Sequence, residues 1–530
     1  MFKVLVSDPI SDLGIQQLMD ASDITVDKKT GLSEDELTAI IGEYDALLVR
    51  SQTTVTAKIM EAATNLKVVG RAGVGVDNID LEAATQRGII VINAPDGNTI
   101  TTCEHTFAMM MALARHIPQA YAKTINGTWD RKSFLGVELR NKTLGVLGMG
   151  RIGSEVAKRA KAFGMDILGY DPFLTQERAD KMGVKLASVD DILKNADFMT
   201  VHTPLTPETK HMISTPQFQI MKKGMRIVNC ARGGVVDELA LVAAIDEGIV
   251  AGAAFDVFES EPPQADHPFL NHPNIIVTPH LGASTVEAQE NVAIDVSEQV
   301  LHILRDEPFK NAVNMPPVAA SVMNKLQPYF GLGEKLGSFA AQISVQAIQE
   351  IRIDYAGDLS EVDTQPLTRY ILKGILSRHL GSEANIVNSL HLAKVRDLNV
   401  IVTSAPSTKG FTNLITVSLK GQDGSEQRIS GTLLSGYGER IVRINDYSVD
   451  VLPAGHQILV SHTDKPGIIG NVGSLLGQKD VNIASMQVGR KIEGGEAIMI
   501  LTVDKDVPKQ VLVELTNLPN LKTAQEVVLA

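Results

Sequence analysis

The sequence predicts an α/β protein with two doubly wound parallel-sheet domains, one inserted in the other, followed by an α+β domain and a terminal βαββαβ unit. Three observations predict it. Short apolar strands alternate with helix-length segments over residues 1–100 and again over about 143–280, and strands spaced by helices pair in parallel. A Gly-x-Gly-x-x-Gly turn, Gly148 to Gly153, joins a strand to a helix in the second run. Residues 455–530 read strand, helix, strand, strand, helix, strand. A chain of 530 residues also exceeds what one hydrophobic core supports.

The first run contains the strands KVLVSD, DITVD, ALLVRS, LKVVG and IIVIN. A long helical stretch then opens at Asn98 and Thr99, good capping residues, and its Met109–Met111 run reads as a core face. A second long helix, within residues 284–304, brings the chain back to the first unit. The expected domains are 1–97 with 285–315, an inserted 98–284, then 317–452 and 455–530. NAVNMPPVAA, 311–320, reads as a linker; the third domain reads as a holder of an anion at SGTLLSGYGERIVRINDY or simply as a spacer. A site is expected in the cleft between the first two domains.

A net charge of −13 disfavours a nucleic-acid or anionic-membrane binder, which needs a basic surface. No window approaches the roughly 18 apolar residues of a membrane span, and the N-terminus lacks the pattern of a signal peptide. Two distant cysteines, Cys103 and Cys230, without CxxC spacing, fit a reducing compartment, and a cytoplasmic location is expected.

TLGVL, the glycine turn, SEVAKRAKAF and DILGY follow one another in the order of a Rossmann dinucleotide-binding unit. Each glycine has its own reason. Gly148 permits the tight turn, Gly150 lets a pyrophosphate approach, and Gly153 lets the helix pack on the strand. Backbone amides at the helix start can receive the phosphate charge. Asp171 stands 18 residues after Gly153 at the end of the second strand, where a carboxylate accepts ribose hydroxyls and repels a 2′-phosphate. The cofactor expected is NAD.

Later strand ends carry polar groups: Thr203 after FMTV, Ala231 and Arg232 after RIVNC, Asp256 and then Glu261 after GAAF, and His280 after NIIV. Ligands of an open parallel sheet bind at the carboxyl ends of its strands, so Arg232, Glu261 and His280 can share one crevice although they are 29 and 19 residues apart. His280 alone reads as readily as a packed core residue. Beside a nicotinamide it suits a general base, with Glu261 fixing its tautomer and Arg232 offering a fork to a carboxylate. A metal role is disfavoured, because no second His or Cys lies beside it at ligand spacing.

GMGRIG, NCARGGVVDE, FDVFESEPP and TPHLGAS resemble the signatures of NAD-dependent D-2-hydroxyacid dehydrogenases. With RAGVGVDNID, APDGNT and the C-terminal third, the resemblance narrows to the long branch of that family whose members oxidise 3-phospho-D-glycerate. Some of those also reduce 2-oxoglutarate. The resemblance implies catalytic Arg232, Glu261 and His280. It implies cofactor contacts at Val74, Arg151, Ile152, Asp171, Thr203, Cys230, Ala231, Arg232, Asp256, His280, Leu281, Gly282 and Ala283. A phosphorylated acid calls for further cations, and Arg50, Arg71, Arg131 and Lys132 are candidates, with Ser51 and Asn98 as hydrogen-bonding neighbours.

The 455–530 unit, with DKPG and VNIASMQV, resembles an ACT domain. That resemblance implies side-by-side pairing through the sheets, with L-serine as a candidate effector bound at that interface by His462, Asp464 and Asn482, or a dimerisation module with no ligand. A homodimer or homotetramer is expected. The competing readings are a sister dehydrogenase of the glycerate or lactate type and a non-enzymatic NAD-sensing protein.

Overall fold

The computed structural model describes residues 1–316, 318–344, 346–405, 408 and 410–529. Pro317 and Ala530, outer limits of two expected domains, lie outside the described residues. The first sheet contains β1 (Phe2–Val6), β2 (Ile24–Lys28), β3 (Ala46–Val49), β4 (Val68–Arg71) and β5 (Ile90–Asn93). Its order is β2-β1-β3-β4-β5, parallel throughout. All four residues of β3, ALLV, are buried, as expected for a strand covered on both faces by helices.

Helix Thr99–Arg115 leaves this domain and packs on helix Arg151–Ala162 of the next. The second sheet is built from β6 (Thr143–Leu147), β7 (Asp166–Tyr170), β8 (Lys185–Leu186), β9 (Phe198–Val201), β10 (Met225–Asn229), β11 (Val250–Phe255) and β12 (Ile275–Val277). Its order is β12-β11-β10-β9-β6-β7-β8, again parallel. Strand order reverses between β6 and β9, which opens a crevice at their carboxyl ends. Helix Val286–Leu304 then returns to helix Asp12–Met19 of the first domain. The approach is close enough that a Cβ on Gly14 would lie 2.2 Å from the Cβ of Ala293.

The expected linker is partly structured. Ala312 forms an antiparallel bridge to Ile92, the Val313 amide donates to the Val91 carbonyl (2.7 Å), and Asn314 accepts from the Val91 amide (2.9 Å). The exposed edge of β5 supplies free backbone groups, and the chain satisfies them as it leaves.

The third sheet comprises β13 (Ile348–Gly357), β14 (Asn399–Ser404), β15 (Asn413–Gly421), β16 (Glu426–Leu434), β17 (Gly438–Ile444) and β18 (Tyr447–Val451). Its order is β14-β13-β15-β16-β17-β18. The fourth has β19 (Gly455–Thr463), β20 (Ile483–Arg490), β21 (Glu496–Val503) and β22 (Leu521–Leu529) in the order β20-β21-β19-β22, with every pair antiparallel. Its two helices cover one face. The other face, through Ile498, Ile500, Val527 and Leu529, shares a core with helix Phe330–Ile343 and β13 of the third domain.

The third domain is therefore more than a spacer. Its Val387 is buried in the core of the first domain, and Asn385 donates to the Gly88 carbonyl (2.9 Å). Arg369 holds that loop from inside, donating to the carbonyls of Ile386 (3.1 Å) and Val387 (2.9 Å). A shared core is expected to make the two C-terminal domains open as one unit. Val527→Asp, which buries an unpaired carboxylate at their junction, is expected to speed amide hydrogen exchange in helix Phe330–Ile343 and β13 as well as in 455–529. Faster exchange confined to 455–529 would contradict a shared core.

Candidate active site

The glycine turn follows β6 and shows three separate constraints. Gly148 has φ 95°, and a Cβ there would lie 2.6 Å from the His202 carbonyl oxygen. Gly153 has no room either, since its Cβ would meet the Gly148 carbonyl oxygen at 2.0 Å. At Gly150 nothing lies within 4 Å, so the backbone there is open to a ligand. Gly150 caps helix Arg151–Ala162 without any side-chain cap, which leaves the first amides free for an anion. Asp171 stands beside the turn, accepting from the amides of Met149 (3.0 Å) and Phe173 (2.8 Å). Ile152 packs against the core behind, while Arg151 crosses to Asp96 of the first domain (2.5 Å).

Neighbouring strand ends complete the pocket. Thr203 is buried with an unpartnered hydroxyl, and so is the Asn98 side-chain oxygen. Polar groups sealed from water without partners suit a site that a dinucleotide fills. Asn229, at the end of β10, accepts from the Ala231 amide (3.0 Å) and donates to the Arg232 carbonyl (2.9 Å), which shapes the Cys230–Arg232 turn. Cys230 is itself buried.

Asp256 follows β11 and is fully buried. Its carboxylate accepts from the amides of Leu281 (2.7 Å) and Gly282 (2.8 Å) and from the Thr278 hydroxyl (2.5 Å), with His105 at 3.1 Å. Burial pushes its pKa up, but these partners outweigh that and hold it below the usual range. Ala283 follows on the cleft wall.

His280 lies within this held segment at φ 56°, a left-handed conformation that costs a residue with a Cβ about 1–3 kcal/mol. Its amide donates to the Asp256 carbonyl (2.9 Å). Its Nδ1 lies 2.6 Å from Glu261 Oε2, and Glu261 Oε1 accepts from the Phe258 amide (3.1 Å). The bond to Glu261 raises the His280 pKa, with burial working against it. For Glu261, burial raises the pKa, but the bond and charge of His280 prevail and lower it.

Across a cleft of about 830 Å³, Arg50, Ser51, Arg71, Val74, Asn98 and Arg232 face Glu261 and His280. Burial pushes the Arg71 pKa down to about 10, with the charges of Arg232 and Arg50 adding to the effect and Asp77 opposing it. Like charges held together in a partly dry place suit a multiply charged anion. Arg232 Nε contacts Asp77 (3.2 Å). Arg71 Nε donates to Asn78 (2.8 Å), whose amide nitrogen donates to the Arg50 carbonyl (2.8 Å). Arg131 and Lys132 are exposed and lie away from this cleft. Their segment follows helix Ile117–Ile125, which projects from the domain and buries none of its own residues.

Asp8 and Asn78 are absent from the expected set. Asp8 is buried just past β1 and accepts from the amides of Arg50 (2.6 Å), Gln52 (3.2 Å) and Thr53 (3.2 Å). The available signal was a polar residue at a strand end, the same rule that found Asp256.

In the last domain the three expected effector residues do not meet. His462 is buried opposite Ala497, and Asp464 is taken up by Arg490 (3.2 Å) and the Gly494 amide (3.4 Å). Asn482 donates to Asp504 (2.7 Å), beyond the other end of β21, roughly 20 Å away by strand rise.

Family models match the chain in three parts: D-isomer specific 2-hydroxyacid dehydrogenase, NAD binding domain, over 107–282; D-3-phosphoglycerate dehydrogenase intervening domain over 325–445; and ACT domain over 456–520. D-3-phosphoglycerate dehydrogenase of Bacillus subtilis (strain 168) is 47% identical, covering 98% of both chains. That of Methanocaldococcus jannaschii is 46% identical, covering 98% of this chain and 99% of its own. The chain belongs to the D-3-phosphoglycerate dehydrogenase family. Among solved structures, D-lactate dehydrogenase from Aquifex aeolicus, complexed with NAD and lactic acid, matches 57% of this chain and 96% of its own at 29% identity and a TM-score of 0.51. The family is one of NAD-dependent oxidoreductases, with NAD as the cofactor of the inserted domain. Among the described residues no helix is long and apolar enough to cross a membrane.

The glycines of the family's RAGVG segment have a steric reason here. A Cβ on Gly75 would lie 2.0 Å from Arg232 Nη2, and one on Gly73 would lie 2.5 Å from Arg71 Nη1. Gly75→Ala is expected to displace Arg232 and raise KM for the acid substrate by roughly tenfold or more, the worth of a charged hydrogen bond. KM for NAD should barely move in the same steady-state assays.

Proposed function

We propose that this chain oxidises 3-phospho-D-glycerate to 3-phosphohydroxypyruvate, the opening step of serine synthesis from that acid. The observation that carries the reading is the partly desolvated cluster of Arg50, Arg71 and Arg232 facing the His280–Glu261 pair across one cleft. Arg232 is placed to hold the substrate carboxylate, with Arg50 and Arg71 taking the phosphate. His280 Nε2 removes the C2 hydroxyl proton, and Glu261 on Nδ1 stabilises the imidazolium that forms. NAD, when bound there, would supply the acceptor for the C2 hydrogen as hydride. Asp171, Gly150 and the amides of Arg151 and Ile152 hold the dinucleotide, and Asp256 acts by keeping the His280 segment in place.

The test follows NADH formation with 3-phospho-D-glycerate and with D-glycerate. Arg50→Ala and Arg71→Ala are each expected to raise KM for the phosphorylated acid by roughly tenfold to 10²-fold with little change for D-glycerate or NAD. Equal use of both acids by the unaltered chain would contradict phosphate recognition.

Oxidation needs neutral His280, so the rate falls as pH drops through its pKa. That pKa is raised by Glu261, so the acid limb of kcat/KM is expected above the ordinary histidine value of about 6.5. Glu261→Gln should move the limb to lower pH and slow turnover by roughly 10²–10⁴-fold. An unmoved limb would remove Glu261 from this role.

A homodimer is the favoured assembly. Ile117, Tyr121, Ile125, Trp129 and Leu135 are all exposed on the projecting helix and the segment after it, a patch that calls for a cover. L-serine is retained as a candidate effector only between two copies of the ACT unit, since His462 and Asn482 are separated within one. The free, buried Cys103 and Cys230 suit a reducing cytoplasm.

A further inference from the structure

Glu261 lies in an irregular segment between β11 and the short helical turn Pro268–Asn271. Irregular segments move unless they are tied down, and a 2.6 Å bond to His280 needs a fixed origin. The tie is Glu238. We propose that Glu238 is a positioning residue that holds the Glu261 segment against the Arg232 turn, and through them keeps the His280–Glu261 bond in register. This rests on the acid–base reading of that pair.

Glu238 is the first residue of helix Glu238–Asp246 and is buried. It does not line the cleft. Its Oε1 accepts from the Glu259 amide at 2.8 Å, and its Oε2 lies 2.9 Å from His267 Nε2. The tautomer of His267 is settled by its other nitrogen. The Phe269 amide donates to Nδ1 (3.3 Å), so Nε2 carries the hydrogen and donates to Glu238. The imidazole stands edge-on to Phe258 (5.4 Å, 89°) and Phe269 (5.0 Å, 83°), and the Phe258 amide in turn holds Glu261.

The same helix is the continuation of the Arg232 turn. Gly233 packs so tightly on the acid segment that a Cβ there would lie 1.9 Å from the Phe258 carbonyl oxygen. One buried carboxylate thus fixes the spacing between the guanidinium and the acid partner of the imidazole. Without it, the Glu259 amide and the His267 Nε2–H lose their acceptor.

The full-length protein is assayed for kcat/KM against pH. Glu238→Ala is expected to lower kcat between about tenfold and 10²-fold, the scale of an ångström misplacement, with KM for NAD near its original value. Its acid limb should move to lower pH, because of the groups facing His280 Glu261 and Asp256 raise its pKa and Arg232 lowers it, and Glu261 is the one released. Glu238→Gln, which can satisfy only one of the two donors, should show a smaller shift in the same direction. His267→Phe keeps the aromatic packing and should move the limb likewise, which maintains the test if Glu238→Ala does not fold. A rate loss with an unmoved limb, or no change in either, overturns the proposal. Retention of rate and limb in His280→Gln overturns the acid–base reading beneath it, a separate and distinguishable result.

Discussion

The buried carboxylate of Asp256 is the constraint on which the catalytic geometry depends. It takes up two successive amides and a hydroxyl around His280, and its own carbonyl accepts the His280 amide. Those bonds hold a non-glycine residue in the left-handed region that it would otherwise leave. Without that hold, the imidazole would relax away from Glu261, and a proton acceptor of raised pKa would become an ordinary surface histidine. A buried anion is costly unless fully hydrogen-bonded, and here the protein uses that requirement to shape a loop.

The opposite wall follows a related principle with charges of the other sign. Three guanidiniums converge on a cleft, and burial with mutual repulsion already loosens the hold of Arg71 on its proton. Such a cluster is held by the fold against its own electrostatics. Asn78 does so by accepting from the Arg71 side chain and donating to the Arg50 carbonyl, Asp8 by accepting the Arg50 amide, and Gly73 and Gly75 leave the volume that the side chains need. An anion held between these guanidiniums would relieve that repulsion.

The C-terminal half is joined to the catalytic half by packing. The face of the ACT sheet that its own helices leave bare is covered by the third domain, and the third domain places Val387 in the core of the first. The third domain thus touches both the ACT unit and the domain that carries Arg50 and Arg71. These contacts exist because each unit leaves an apolar face that only its neighbour can cover.

Local chemistry explains what was legible in the sequence. The glycine turn needs residues without a Cβ at fixed spacing, strands buried on both faces must be continuously apolar, and a polar residue at a strand end stands out. These features exposed the doubly wound domains, the dinucleotide turn and the polar strand-end set Arg232, Glu261 and His280. Asp8 carried that strand-end signal, whereas Asn78 in a loop and Glu238 at a helix start have no local signature to separate them from ordinary polar residues. Arg131 and Lys132 were expected at the cleft, yet nothing in their spacing recorded that their segment projects outward. The sequence by itself determined the elements and the chemistry available. Only the tertiary structure decided which distant side chains meet, because convergence depends on strand order and domain packing, and residue spacing does not encode either.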